Sequence, residues 1–200
     1  MERREAEQLL RDCLARVLVD HLDLFMSRAH ERSITSHLFR YLADDERVPT
    51  GVSVDHEYNR VGDHYVKNLR QYADGVLALD DNGEPVEAHA IPDILIHGRG
   101  DHTANLVAIE VKVGADNDDY DKSKIWALLD DPFAYEHGVL LSFRFDAGDG
   151  RPRVVPYWAW NPPPREPITY APVFEDAQVS DLAERGRLGI VERRQARENA

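Results

Sequence analysis

Cys13 is the only cysteine in 200 residues, so no internal disulfide can form and the fold must hold by packing. No run of about 18 or more uncharged apolar residues occurs, which excludes a membrane-crossing helix. The first residues, MERREAEQLLRDC, are charged at once and lack the apolar stretch of a secretory leader. With a lone thiol, that makes a cytoplasmic location the expectation. Lysine is scarce: Lys67, Lys112, Lys122 and Lys124 stand against twenty arginines. There is no Walker phosphate loop, no dinucleotide-binding glycine fingerprint, no GxSxG elbow and no internal repeat.

Apolar residues make up 42% and charged residues 30%, a composition for one globular domain with a sizeable core. The net charge is −13, and residues 43–130 carry most of it, with nineteen acidic side chains against eight basic. Such an excess argues against coating nucleic acid by charge alone. It leaves open a local basic groove or a metal-assisted enzyme. The bland reading of the acidity and of the arginine bias is coding background.

Leu9, Leu10, Cys13, Leu14, Val17, Leu18, Leu22 and Phe25 recur at spacings of three and four, predicting an amphipathic helix from Glu5 to Phe25. Cys13 lies on its stripe and reads as a buried, inert thiol. A second helix is predicted over Glu31–Ala43, with Ile34, Leu38, Tyr41 and Leu42 inward. Strands follow at Val52–Tyr58, Ile91–His97, Asn105–Val113, Val139–Phe145 and Arg153–Trp160, with a helix at Tyr120–Leu129. The weakly patterned 59–90 stretch carries a DDNG turn signal at 80–83 and a short strand near 75–79. Four prolines between 162 and 167 precede a charged helix at about 179–197. The order helix, strand, strand, strand, helix, strand predicts a mixed sheet flanked by helices, an α/β or mixed α+β class.

Pro92-Asp93 and Glu110-Val111-Lys112 fall on neighbouring strands. Period-two alternation puts Glu110 and Lys112 on one face of the second strand and Val107, Ile109, Val111 and Val113 on the other. A carboxylate and an ammonium on such a strand are costly to bury without partners. With Asp93 opposite Glu110, two carboxylates make an oxygen site suited to Mg²⁺, or Mn²⁺ in its place. Lys112 then holds and helps deprotonate an attacking water, or neutralises charge on a phosphate. The plainer alternative is a surface ion pair between Glu110 and Lys112 on a solvated sheet face.

This pattern resembles the PD-(D/E)XK nuclease superfamily, the restriction-endonuclease-like fold, with Pro92, Asp93, Glu110 and Lys112 matching every specified position. Glu57-Tyr58-Asn59-Arg60, IPDILIHGRG at 91–100 and Asp121-Lys122-Ser123-Lys124 have the look of a bacterial subgroup of nuclease-like proteins. The resemblance implies metal binding by Asp93 and Glu110 and water activation by Lys112. It also implies a third carboxylate from the first core helix, for which Glu31 is the match, although a glutamate at a helix start also has the dipole to explain it. The implied organisation is an N-terminal amphipathic helix at 1–28, a nuclease-like core at 29–161, and a Pro-rich connection with a charged helix at 162–200.

DNA hydrolysis with Mg²⁺ is therefore the leading expectation, RNA remains open, and no membrane partner is expected. A homodimer or a protein partner could use the first helix. The rival is a catalytically silent scaffold that docks a partner through that helix and the arginine-rich tail. Lys122 and Lys124 are either solvated charges or phosphate contacts, and Glu57 points either into the site or away. Arg60, Lys67, Arg70 and Arg99 are either phosphate contacts or scattered surface charge. His97 and His102 straddle a glycine-rich loop without a cysteine partner, so zinc is rejected. Asp116–Asp119 lacks the glycine and final acid of a calcium loop and reads as a helix cap. Trp126, Tyr157, Trp158 and Trp160 read as packing residues.

Overall fold

α1 (Arg3–Asp20) buries Leu9, Leu10, Cys13, Leu14, Val17 and Leu18, and a capping box between Glu2 and Glu5 closes its first turn. The computed structural model describes residues 1–57, 60–61, 65–66, 68–73, 76–89, 91–99, 104–146, 153–164 and 166–199. Instead of running on to Phe25, the first helix breaks at His21, at φ −130° and ψ 27°, and resumes as α2 (Leu22–Met26). The apolar stripe survives the break, since Leu22 and Phe25 stay buried. Arg28, at φ 52°, turns the chain into α3 (Glu31–Ala43), which buries Ile34, Leu38 and Leu42. Tyr41 lies only partly inward, its hydroxyl donating to Asp20 at 2.6 Å. Cys13 is fully buried, and burial pushes its thiol up to about 12, as an inert core cysteine requires.

β1 (Ser53–His56) opens the main sheet. An arm of three small ladders follows: β2 (Arg60–Val61) with β3 (Tyr65–Val66), β4 (Asn68–Arg70) with β7 (Glu87–His89), and β5 (Tyr72–Ala73) with β6 (Val76–Leu77). The DDNG signal is a real turn. Asp80 N–H donates to Glu84 O at 2.8 Å, the Asp80 carboxylate accepts the N–H of Asn82, and Gly83 supplies the positive φ of 83°. Then come β8 (Ile94–His97), β9 (Asn105–Val113), α4 (Asp119–Leu129), β10 (His137–Asp146), β11 (Arg153–Trp160), β12 (Ala171–Pro172) and α5 (Asp176–Glu198).

The six-stranded sheet runs β1-β8-β9-β10-β11-β12. Every pair is antiparallel except β9 with β10, which α4 joins as a parallel crossover. A mixed sheet flanked by helices is thus what forms. One sheet face, with Ile94, Ile96, Ile109, Val111, Leu141 and Phe143, shares a core with α1, α3 and α5. The other face, with Leu95, Ala108 and Leu140, packs against Ile125 and Leu128 of α4 and Leu69 of the arm. A bulge at Leu106, where Ile96 pairs with Val107 and His97 with Asn105, shifts the alternation by one residue. From Val107 onward the faces alternate as the sequence predicts.

The stripe of α1 that was a candidate docking surface is therefore buried against the chain's own sheet. Gly138 lets α4 approach β10, because a Cβ there would lie 2.7 Å from Ile125 Cγ2. Trp126 and Trp158 are buried, in keeping with their reading as packing residues. No helix among the described residues is long and apolar enough to cross a membrane.

Candidate functional site

β8 stops pairing with β9 at Ile94 and Ile109. Alternate N–H groups of β9 face β8, so those of Val111 and Val113 project past the end of the ladder with no strand to receive them. Two side chains accept them instead. Asp93 Oδ2 takes the Val111 N–H at 2.7 Å, and Glu31 Oε2, from the first residue of α3, takes the Val113 N–H at 2.9 Å. The fork between the two strands is thus lined by carboxylates from two elements.

On the α4 face of β9, Glu110 is 0% exposed. The helix covers that face, so Glu110 and Lys112 are not a solvated pair. The Lys124 ammonium, from the second turn of α4, hydrogen-bonds and ion-pairs with Glu110 Oε2, while Glu110 Oε1 is buried with no hydrogen-bond partner. Lys112 is half-buried and turns to α4, 3.3 Å from Asp121 Oδ2 and 3.9 Å from Asp118 Oδ2. Asp121 Oδ1 lies 3.4 Å from Lys124 Nζ, so one carboxylate bridges both lysines.

The start of α4 fixes this geometry. Asp118 is the N-cap and accepts the N–H groups of Tyr120 and Asp121, and Asp121 accepts the Asp118 N–H in return. The run 116–119 is a helix cap as expected. Buried Asn117 braces the turn, its Oδ1 accepting the Tyr170 hydroxyl at 3.2 Å.

Crowded acids in a dry setting repel their own ionisation. Burial pushes the Glu110 carboxyl well above the carboxylate range, with Lys124 opposing and Asp93 adding to the rise. Burial also raises Asp93, against the Val111 N–H and Lys124. Glu31 rises for the same reason, opposed by the Val113 N–H and Lys112. Burial disfavours the Lys124 cation, yet Glu110, Asp121 and Asp93 outweigh it and hold it up to about 12. Lys112 is likewise held protonated, desolvation being overcome by Asp121 and Glu31.

The four residues singled out in the sequence, Glu31, Asp93, Glu110 and Lys112, thus meet in one electrostatically coupled neighbourhood at the fork. Among the described residues, however, no three acidic, histidine or cysteine side chains are gathered closely enough to hold a metal ion. Glu57 turns away to a two-pronged pair with Arg32, at 2.6 and 2.8 Å. Lys122 pairs with Asp119 at the surface. His97 and Arg99 both bond Asp55, and Arg70 lies 3.4 Å from Asp130. Tyr58, Asn59, Lys67, His102 and the side chain of Arg60 lie outside the described residues.

Two partnerships in the site do not follow from the strand pattern: Lys124 with Glu110, and Asp121 as the bridge between the lysines. The legible signal is the i, i+3 spacing of Asp121 and Lys124 on a predicted helix, together with the scarcity of lysine. Compared with known protein families, curated proteins and solved structures, the chain matches none.

Proposed function

We propose that the chain is a metal-dependent nuclease of the PD-(D/E)XK kind, with a restriction-endonuclease-like core, that hydrolyses phosphodiester bonds in DNA. The observation that carries this reading is Glu110. It is a fully buried carboxylate on a central strand with one oxygen unpartnered, set beside Asp93 and a lysine two residues on. Such a group costs several kcal/mol to desolvate, and Lys124 answers only one of its two oxygens. The donor chemistry suits a hard divalent ion, since Asp93, Glu110 and Glu31 offer only oxygen. Mg²⁺, or Mn²⁺ in its place, held by these carboxylates would supply the positive charge that draws in and polarises a phosphate oxygen.

Lys112 does the remaining work as a cation. Against desolvation, Asp121 and Glu31 favour its ammonium form, which would hold the attacking water and neutralise charge developing on the phosphate. Asp121, 3.3 Å from that ammonium, positions it. The experiment is incubation with plasmid DNA, single-stranded DNA and RNA in Mg²⁺ or Mn²⁺, with a chelator control. Metal-dependent DNA cleavage supports the reading, cleavage of RNA alone reassigns the substrate, and no cleavage of any of them counts against catalysis.

A second reading rests on a specific observation. Asp93 and Glu31 already bind backbone N–H groups, Lys124 already neutralises Glu110, and no three ligands are gathered among the described residues. A silent scaffold that binds a protein partner would keep such a network for structure. Calorimetry separates the two, because a scaffold takes up no Mn²⁺ at Asp93 and Glu110.

A further inference from the structure

We propose that the Lys124 ammonium is a built-in counter-cation that occupies Glu110 while no divalent ion is bound and moves to Asp121 when one enters. The inference rests on the metal-site reading above and concerns how that site is kept stable without its ion.

Apolar residues of equal size would serve the core as well as a buried ion pair or better. Here Lys124 engages Oε2 of Glu110 and leaves Oε1 bare, although the Glu110 side chain is only 1% exposed and that of Lys124 only 10%. The charge of Asp93 also acts on both groups. One ammonium thus contacts two acids, Glu110 and Asp121, and feels the charge of a third, Asp93. The displaced ammonium has places to go: Asp121 Oδ1 is already 3.4 Å away, and the Tyr120 ring centroid lies 5.3 Å from Nζ. Lys112 has its own partner in Asp121 Oδ2 and need not move. A divalent ion entering at Glu110 must overcome both the bond to Lys124 and the repulsion of its charge.

Two measurements on the full chain test this. Mn²⁺ calorimetry compares the parent with Lys124→Met, Lys124→Gln and Glu110→Gln. Removing the competing charge is expected to tighten Mn²⁺ binding by about tenfold or more, a modest demand for a unit charge at contact distance. Glu110→Gln is expected to lose it. The second measurement keeps the parent sequence: with four lysines, side-chain carbon resonances next to the ammonium are few enough to follow during Mg²⁺ titration. The Lys124 signal is expected to shift in the parent and to stay fixed in Glu110→Gln. If the ion binds the parent but Lys124→Met and Lys124→Gln bind it no tighter, the counter-cation is overturned while the metal site stands. Should the substitutions prevent folding, a Lys124 signal that stays unmoved as metal binds the parent overturns it equally. If neither Mn²⁺ nor Mg²⁺ binds the parent or any folded variant, the metal-site reading fails and takes this proposal with it.

Discussion

The Asp93 carboxylate accepts the backbone N–H of Val111 at 2.7 Å, just past the last residue pair joining β8 to β9. A candidate metal ligand is therefore also the cap of a strand edge, and the two roles respond differently to substitution. Asp93→Ala removes the charge and strands the Val111 N–H, at a cost of about 1–3 kcal/mol for an unsatisfied buried donor. Asp93→Asn keeps an acceptor oxygen and removes only the charge. The expected outcome is that both variants lose metal-dependent cleavage, while only Asp93→Ala loses appreciable stability in urea unfolding. Cleavage by Asp93→Asn at the parent rate would remove Asp93 from the site.

Lys124 and Glu110 form a buried pair, and breaking one side of such a pair strands the other. Lys124→Met should cost about 3–5 kcal/mol without metal, because Glu110 is left with no counter-charge. Replacing both, as Lys124→Met with Glu110→Leu, should recover most of that loss, since packed apolar side chains do as well as a buried ion pair. Denaturant midpoints of the single and double variants give the coupling directly. If the double variant loses the sum of what Lys124→Met and Glu110→Leu lose singly, the two side chains do not depend on each other.

Much of this fold is legible in the sequence. The bounds of α3, β9 and β11 coincide with the predicted ones and α4 starts one residue early, because each has a clear period and, for α4, a cap. The break at His21 is not legible, since Leu22 and Phe25 continue the same stripe across it. In the site, alternation alone places Glu110 and Lys112 on one face. It does not say what covers that face. That depends on the crossover bringing α4 over β9, a tertiary fact that exchanges the partners: Lys112 goes to Asp121 and Glu110 to Lys124. The carboxylate caps on Val111 and Val113 are equally hidden, because they depend on where β8 ends.

The pH dependence of stability has a definite sign. Glu31, Asp93 and Glu110 hold their protons more tightly in the fold than in the unfolded chain. Between the ordinary carboxylate range, about pH 4, and their raised folded values, the native state binds more protons, so stability falls as pH rises through that window. Asp45 beside the Arg47 guanidinium, and Asp130 beside the Tyr72 hydroxyl, are held low and act oppositely. Their stabilisation is present above the ordinary range and lost as pH falls through their folded values. Urea unfolding is therefore expected to show stability falling as pH rises from the ordinary carboxylate range through these raised values, less steeply in Asp93→Asn. His21, held below its ordinary value by burial, contributes the opposite sign near the ordinary histidine range. Added Mg²⁺ should narrow the drop by neutralising the same carboxylates. A parent profile and an Asp93→Asn profile that run parallel would show that Asp93 ionises without penalty.

Gly138 tests whether the site depends on the seating of α4. It lies on β10 under the helix, and a methyl group there would sit 2.7 Å from Ile125 Cγ2 and 3.0 Å from Leu129 Cδ1. The first is closer than side-chain carbons pack and the second is tight. In Gly138→Ala the Ile125 and Leu129 side chains must therefore shift, and α4 moves wherever they cannot repack. The cost should be about 1–3 kcal/mol, the usual range for overpacking. The same helix carries Asp121 and Lys124 across to β9, so the displacement should loosen their contacts with Lys112 and Glu110. A second substitution, Ile125→Ala, vacates the space that the new methyl needs. The double variant should therefore lose less than the sum of the two single changes, a coupling that thermal or urea unfolding resolves. Strict additivity would show that the new methyl group does not meet Ile125.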